Sequence, residues 1–227
     1  MGKGTAILYF AYRPRVEAVR KPIFTDHGIK VNIQFYKDLQ EELFGQLTPL
    51  GLPLIHIDDQ TQRGDGFAIR ICNALDDIWS RGYDRVVILG NDVPQLDTEL
   101  YQRSIDLVES GHSCLLRTQL GGAGIIALNR SAYNKQHWLE IQWQTQETFN
   151  ELFDCLPDCK VIDIEAIEIN TLTDAYTYLE LRKGKDSIAF LIDGILNPLR
   201  NFVSLQSSFK EKSPQRGHKL RGPPFTC

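Results

Sequence analysis

The sequence lacks an apolar run long enough to cross a membrane, so no membrane span is expected. A leader-like segment is also missing, because the chain leads from its start directly into a strand-like stretch at Thr5, which predicts a cytoplasmic protein. Cysteine is sparse: five scattered residues among 227, an odd number without regular spacing, argue against a disulfide framework. A chain of this length can bury a full core, and one large domain is favoured over two.

Several motifs of well-known nucleotide- and metal-binding folds are absent. The turn after the first predicted strand holds Arg13-Pro14-Arg15, where a Rossmann domain needs glycines. The sequence contains no P-loop, no Gly-x-Ser-x-Gly elbow and no pair of histidines at metal-binding spacing. The sequence therefore excludes a dinucleotide-binding Rossmann domain and disfavours a P-loop nucleotidase, an α/β-hydrolase and a metal site held by histidines.

The charge is unevenly distributed along the chain. The net charge is −4, but residues 204–227 carry five lysines and arginines against one glutamate, so residues 1–203 hold a net charge of −8. No basic face runs along a predicted helix or strand, which argues against nucleic acid as a partner. Residues 205–227 are rich in proline and glycine and are predicted to form a flexible basic tail.

Strand-like and helix-like segments alternate through the rest of the chain, which predicts an α/β sandwich with a mostly parallel sheet over residues 1–184. The predicted strands cover residues 5–12, 53–58, 86–89, 113–117, 124–128 and 161–164. The predicted helices cover residues 31–47, 66–81, 98–110, 145–156 and 174–183.

A strongly apolar segment follows this alternation, and residues 185–204 are predicted to form a helical extension. Its helical spacing runs from Ile188 to Val203 and is interrupted at Gly194 and Pro198. This apolar surface exceeds what a completed sandwich needs, so it is expected to pack on the flank of the domain or on a second subunit of a homo-oligomer.

The most informative residue is Asp92, which follows the apolar strand at residues 86–89. Gly90 frees the backbone there, and Pro94 prevents the strand from continuing. Ligands of open α/β sheets bind at the carboxyl ends of the strands, where an acidic side chain can hold Mg²⁺ or Mn²⁺ on a diphosphate. The alternative is that Asp92 caps the turn before the next helix.

Two blocks of residues together resemble a bacterial family of nucleotide-diphospho-sugar transferase-like proteins with the GT-A fold, some assigned to arsenosugar biosynthesis. The blocks are Gln62-x-Gly64-Asp65-Gly66-x-x-x-Arg70 and the run from Gly82 to Leu96. The resemblance implies a three-layer α/β/α fold, with a cleft over the carboxyl ends of the strands. It also implies a nucleoside-diphosphate sugar as ligand and Asp92 as ligand to a divalent metal.

The chain departs from the family pattern at two places. Glu17 replaces a lysine in the stretch after the first strand, where the family carries cations suited to phosphates. Gly121 and Gly122 are kept, but an aspartate and two tyrosines beside them in the family are not. The loss of that carboxylate predicts weaker metal binding and leaves open whether the site is active.

Further candidate residues each have a structural alternative. Substrate-binding roles are predicted for residues suited to phosphate, base or sugar, namely Arg13, Arg15, Arg20, Gln62, Asp65, Arg70, Asn91, Gly121 and Gly122. Asp65 is alternatively a helix cap, Arg70 a partner of a neighbouring acid, and the glycines positions of close backbone packing. Trp143 is expected in the core or the cleft wall, and Glu17, Asp58 or Asp59 could replace the missing metal ligand.

The leading functional hypothesis is a glycosyltransferase-like protein, with Asp92 as the catalytic metal-binding residue. The sequence leaves open a nucleotidyltransferase on the same fold. It also leaves open a non-catalytic nucleotide-binding or interaction protein, since a fold alone does not establish a reaction.

Overall fold

The computed structural model describes residues 4–198. This part of the chain contains a six-stranded sheet. Its strands are β1 (Thr5–Phe10), β2 (Leu54–Ile57), β3 (Arg85–Leu89), β4 (Cys114–Thr118), β5 (Ala123–Asn129) and β6 (Lys160–Ala166). They lie in the order β2-β1-β3-β5-β4-β6, and β5 runs antiparallel to both of its neighbours while the other pairs are parallel. The prediction of a mostly parallel sheet is confirmed.

Helices cover both faces of the sheet, which confirms the predicted three-layer α/β/α fold. They are α1 (Pro14–Arg20), α2 (Gly28–Leu47), α3 (Phe67–Ser80), α4 (Thr98–Glu109), α5 (Lys135–Glu140), α6 (Thr148–Cys155), α7 (Leu172–Arg182) and α8 (Ser187–Leu196). One core cluster joins the sheet to α3, α5 and α6, and a second joins it to α4 and the end of α2.

The central strand β3 shows why its sequence is continuously apolar. Val86 and Ile88 contribute to the core on the α3 side, whereas Val87 and Leu89 contribute to the core on the α4 side. All four side chains are buried, as expected for a strand covered on both faces. The strand therefore delivers the residues that follow it to the edge of the sheet.

Two helices were not expected from the sequence. Helix α1 begins at Pro14, whose fixed φ and missing N–H are compatible with the first position of a helix. The six-residue α5 is capped by Asn134, whose side chain accepts hydrogen bonds from the backbone N–H groups of Gln136 and His137. Neither helix has a long amphipathic pattern that could have revealed it.

The apolar extension contains α8, which is capped by the Asp186 side chain. Ile188, Ala189 and Ile192 are buried in a third core cluster with residues of α1, α2 and α7, whereas Phe190 is 72% exposed. The rest of the predicted extension and the predicted flexible tail lie outside the described residues. The division at residue 184 and the homo-oligomer remain predictions.

No helix in residues 4–198 is both long and apolar enough to cross a membrane. The four cysteines in this range are all free thiols, in agreement with the expected lack of a disulfide framework. The predicted helix cap at Asp65 is wrong, because Gly66 holds the N-cap position of α3 with a φ of 83° and no side chain caps that helix.

Candidate functional site

A cleft of about 720 Å³ opens over the carboxyl ends of β1 and β3. Its walls are completed by α1, the N-terminal part of α3, the start of β5, the loop between α5 and α6, and the segment after β6. Acidic and basic side chains line one part of it, and aromatic side chains line another. This is the edge of the sheet where open α/β proteins bind ligands.

Asp92 lines this cleft and is half-buried. Its side chain folds back toward Gly90, where an added Cβ would lie 3.1 Å from Oδ1 of the aspartate. Its backbone carbonyl accepts a hydrogen bond of 2.8 Å from the N–H of Ile169, which ties the loop after β3 to the segment after β6. The loop is therefore held from two sides while the carboxylate reaches the cleft.

Glu168 supplies a second carboxylate that the sequence analysis missed. Its side chain accepts hydrogen bonds from the Thr118 hydroxyl and, at 3.0 Å, from Nδ2 of Asn170. Burial, together with the negative charge of Asp92, raises the pKa of Glu168, whereas the two hydrogen bonds oppose this shift. The available signal was an acidic residue shortly after a strand: Glu168 follows the end of β6 by two residues, as Asp92 follows the end of β3 by three.

Glu17 is a third acidic residue of the cleft and projects from α1. Its side chain accepts a hydrogen bond of 3.3 Å from the Tyr12 N–H and also bonds with Asn91, which lines the cleft beside it. Burial raises the pKa of Glu17, and the nearby Lys21 opposes the increase. Of the three acids considered as substitute metal ligands, Glu17 alone is among the residues that line the cleft.

Arg13 has a different environment from the one predicted for a phosphate-binding cation. Its guanidinium donates to both carboxylate oxygens of Asp59, with Nη2–Oδ2 at 2.6 Å and Nε–Oδ1 at 3.0 Å, and Asp58 lies 3.8 Å away. Neither Arg13 nor the exposed Arg15 lines the cleft. The two acids thus hold the Arg13 side chain at the N-terminus of α1, outside the cleft lining.

We expect Arg13→Gln to lower the stability of the protein at neutral pH and to have little effect near pH 2. The Arg13 guanidinium lowers the pKa of Asp59 from 3.8 to about 2. A depressed carboxyl pKa stabilises the fold above the unfolded-state value and loses that effect as the pH falls toward 2. The variant should therefore unfold at a lower temperature at pH 7 and converge with the wild type near pH 2, whereas the exposed Arg15→Gln should match the wild type throughout. Thermal unfolding between pH 2 and 7 measures both, and a constant difference between R13Q and wild type across this range would contradict the assignment.

Two cations at the end of α1, Arg20 and Lys21, do line the cleft. The Arg20 guanidinium lies 4.7 Å from the centroid of the Tyr12 ring. Lys21 was not predicted; its Nζ donates to Oδ1 of Asn170 at 3.0 Å, which places it beside the segment that holds Glu168. Cations and carboxylates therefore share one end of the cleft.

The 62–70 block is divided between the cleft and solvent. Gln62 lines the cleft and donates to the Ile57 carbonyl, whereas Asp65 is exposed and does not line it. Arg70 lines the cleft 6.0 Å from the centroid of the Tyr12 ring, and its buried Nε has no hydrogen-bond partner among the described residues. A buried unpaired donor is costly, so Arg70 is suited to an acceptor from a ligand.

The two glycines before β5 are positions of close packing. Gly121 has a φ of 84°, and a Cβ there would overlap the backbone of Gln146. Gly122 lines the cleft, and a Cβ there would overlap the Glu168 carboxylate. The structural alternative accounts for Gly121, while Gly122 leaves room for the acidic group beside it.

The aromatic part of the cleft contains Trp143, Phe67 and Phe10. The ring of Phe67 lies 5.1 Å from Trp143 and 5.6 Å from Phe10 between centroids. Nε1 of Trp143 donates to the Trp138 carbonyl at 2.9 Å. Trp143 therefore belongs to the cleft wall, with its polar edge already satisfied inside the protein.

Comparison with known proteins gives a family and a fold. Residues 21–145 match the profile of the family DUF2064, described as an uncharacterized protein conserved in bacteria. The chain belongs to the DUF2064 family. No curated protein matches the sequence.

Two solved structures illustrate the likeness of this DUF2064 protein to others. A candidate nucleotide-diphospho-sugar transferase from Desulfovibrio desulfuricans G20 is 18% identical, with a TM-score of 0.67 over 92% of this chain and 99% of that one. Rv0371c from Mycobacterium tuberculosis H37Rv, solved in complex with manganese, is 15% identical, with a TM-score of 0.44 over 78% of this chain and 100% of that one. The first structure supports the GT-A-like fold. We draw no conclusion from the second, because its TM-score is below 0.5.

The DUF2064 match covers only part of the cleft. It includes Lys21, Asp92 and Trp143 but ends before Glu168 and begins after Glu17. The acidic end of the cleft is thus assembled from residues inside and outside the matched segment.

Proposed function

We propose that this DUF2064 protein is a glycosyltransferase-like enzyme that binds a nucleoside-diphosphate sugar together with a divalent cation. The observation that carries the proposal is the meeting of Asp92 and Glu168 with Arg20 and Lys21 in one cleft at the carboxyl edge of the sheet. Carboxylates suit a hard cation, and the arginine and lysine suit the phosphates that such a cation bridges.

The residues present fit a Mg²⁺ or Mn²⁺ ion. The pKa of Glu168 is raised by burial and by the charge of Asp92, so the protein keeps two acidic groups close together at a cost that a bound cation would remove. Hard oxygen donors are the preferred ligands of both ions, and Mg²⁺ commonly takes its remaining ligands from phosphate and water. No cluster of three His, Cys, Asp or Glu side chains suited to a metal occurs in residues 4–198, so a ligand would have to complete the coordination.

Each polar side chain at this end of the cleft would have a role in the proposed reaction. Asp92 and Glu168 would hold the cation, which when bound neutralises the diphosphate leaving group. Arg20 and Lys21 would bind the phosphate oxygens and stabilise the negative charge that develops as the bond to the sugar breaks. Asn170 would hold Lys21 and Glu168 in place, since its amide bonds to both. Positioning and electrostatics would therefore provide most of the rate.

One observation favours a non-catalytic nucleotide-binding protein instead. The Glu17 carboxylate lines the same cleft, and its charge would oppose a diphosphate close to it. Binding that is indifferent to metal, without turnover, is the expected behaviour of such a relative. A nucleotidyltransferase would share the metal requirement and differ in releasing pyrophosphate from a nucleoside triphosphate and a sugar phosphate.

Thermal unfolding with a panel of nucleotides tests the proposal. We expect UDP, GDP, ADP or CDP, or their glucose or mannose conjugates, to raise the unfolding temperature in the presence of Mn²⁺ and not with EDTA. A ligand at 100 times its Kd would stabilise the fold by about 2.7 kcal/mol. Equal shifts with and without metal would favour the non-catalytic alternative, and no shift with any nucleotide would refute nucleotide binding altogether.

A further inference from the structure

The loop between α5 and α6 has a different chemical character from the rest of the cleft. Its cleft-lining residues are Trp143, Gln144, Thr145 and Gln146, none of which is charged. Gln144 has a φ of 63°, in the left-handed region that side chains other than glycine rarely adopt. Strained backbone of this kind is found more often at ligand sites than elsewhere, because the surrounding structure must hold it.

Trp143 presents an apolar surface rather than a hydrogen-bonding group. Its ring is half-buried, and its N–H is already donated to the Trp138 carbonyl at 2.9 Å. Neighbouring rings of Phe67 and Trp138 lie 5.1 and 5.4 Å away between centroids and fix its orientation. A ligand in the cleft therefore meets the carbon surface of the indole, with amide and hydroxyl groups next to it.

This loop also lies beside the acidic end of the cleft. The backbone of Gln146 packs against Gly121, and the neighbouring Gly122 packs against the Glu168 carboxylate. A group bonded directly to a diphosphate held at Asp92 and Glu168 would thus be near the loop. In a nucleotide sugar both the transferred sugar and the ribose are bonded directly to the diphosphate, whereas the base is separated from it by the ribose, so a sugar ring rather than the base is expected at the loop.

We infer that the Trp143 loop binds the ring of a neutral sugar, with the indole face of Trp143 as its stacking surface. The C–H face of a pyranose packs on an aromatic ring, and its hydroxyl groups both donate and accept hydrogen bonds, as do the side chains of Gln144, Thr145 and Gln146. The absence of charge along the lining of this loop disfavours a sugar acid, a sugar phosphate or an amino sugar. This inference rests on the proposed function and adds the class of sugar and the segment that selects it.

The test compares each nucleoside diphosphate with its sugar conjugate in the presence of Mn²⁺. We expect the full-length wild-type protein to bind one of UDP-glucose, GDP-mannose or ADP-glucose about tenfold more tightly than the corresponding diphosphate. Trp143→Leu should reduce this ratio to near one and leave the affinity for the diphosphate unchanged. Trp143→Phe, which keeps an aromatic face, should retain most of the ratio, and Phe153→Leu, which alters an exposed aromatic outside the cleft lining, should retain all of it.

Tryptophan fluorescence provides a second measurement that does not depend on the stability of the leucine variant. Trp79 and Trp138 are buried in the core, so quenching by a sugar nucleotide should come from Trp143 and disappear in Trp143→Phe. A separate titration with methyl glucoside in the presence of the diphosphate distinguishes an acceptor sugar from the donor's sugar. Binding of either kind that depends on Trp143 supports the inference.

Three outcomes would overturn the inference. If Trp143→Leu weakens the diphosphate and its conjugate equally, the ring contacts the nucleoside rather than a sugar. If the wild type binds diphosphates with Mn²⁺ but does not distinguish their sugar conjugates or bind the glucoside, the sugar site is refuted while the proposed nucleotide binding stands. If no nucleotide binds at all, the proposed function fails and the sugar site fails with it.

Discussion

Asp92→Asn is expected to abolish the stabilisation of the protein by a nucleotide with Mn²⁺. Substitution of a residue that hydrogen-bonds to a metal ligand typically weakens metal binding about 10- to 100-fold. Loss of a direct ligand should therefore weaken metal binding by at least about 100-fold. The substitution keeps the size of the side chain and the backbone bond from Ile169 N–H to the Asp92 carbonyl. The loss should therefore come from the removed charge and not from an altered loop.

Glu168→Gln and Asp65→Asn make this prediction specific. Glu168→Gln keeps a side chain that can bond to Thr118 and Asn170, and it should also lose most of the metal-dependent shift. Burial raises the pKa of Glu168, which means that its ionised form destabilises the folded state as the pH rises through that pKa. At pH 7 the ligand-free Glu168→Gln protein should therefore unfold no earlier than the wild type.

Asp65→Asn removes an exposed aspartate outside the cleft lining and should behave as the wild type. Calorimetric titration of Mn²⁺ and of the nucleotide with Mn²⁺ measures the affinities, and thermal unfolding without ligand checks the fold. Retention of metal-dependent binding by Asp92→Asn would show that the cation lies elsewhere.

The succession of strands and helices along the chain could be predicted because burial on both faces leaves a clear pattern. Val86 to Leu89 face opposite cores, so the run is apolar throughout and its end is evident from Gly90 and Pro94. The same reasoning placed Asp92 at the carboxyl edge of the sheet. The sequence pattern did not reveal the order of the strands within the sheet. The residues that surround Asp92 depend on that order and could therefore not be predicted.

The environment of each charged side chain depended on that missing information. Arg13 looked suited to phosphate from its place after β1, but β2 is the neighbour of β1, and Asp59 follows β2 and binds the guanidinium. Glu168 is separated from Asp92 by about a third of the chain, and they meet because the segments after β3 and β6 are bonded through Ile169. Long-range pairings of this kind have no local signal in one sequence.

Gly121→Ala is expected to destabilise the protein strongly and to disturb the cleft. Its φ of 84° is unfavourable for alanine, and the added Cβ would overlap the backbone of Gln146, which cannot rotate away as a side chain could. The left-handed conformation costs roughly 1–2 kcal/mol and overpacking roughly a further 1–3 kcal/mol, so the free energy of unfolding should fall by about 2–5 kcal/mol.

Gly111→Ala separates the two contributions. Gly111 also has a positive φ, 97°, but a Cβ there would have no atom within 4 Å. Gly111→Ala should therefore show the conformational cost alone, about 1–2 kcal/mol, in urea unfolding at pH 7.

The two variants should also differ in ligand binding. The Gly121 carbonyl accepts a hydrogen bond from the Phe149 N–H at the start of α6. Displacement of Gly121 from the Gln146 backbone should therefore weaken sugar-nucleotide binding in Gly121→Ala and not in Gly111→Ala. If both variants are destabilised equally and both still bind the ligand, the loop that contains Gln146 moves away from residue 121 at no cost. The contact between Gly121 and Gln146 would then not shape the cleft.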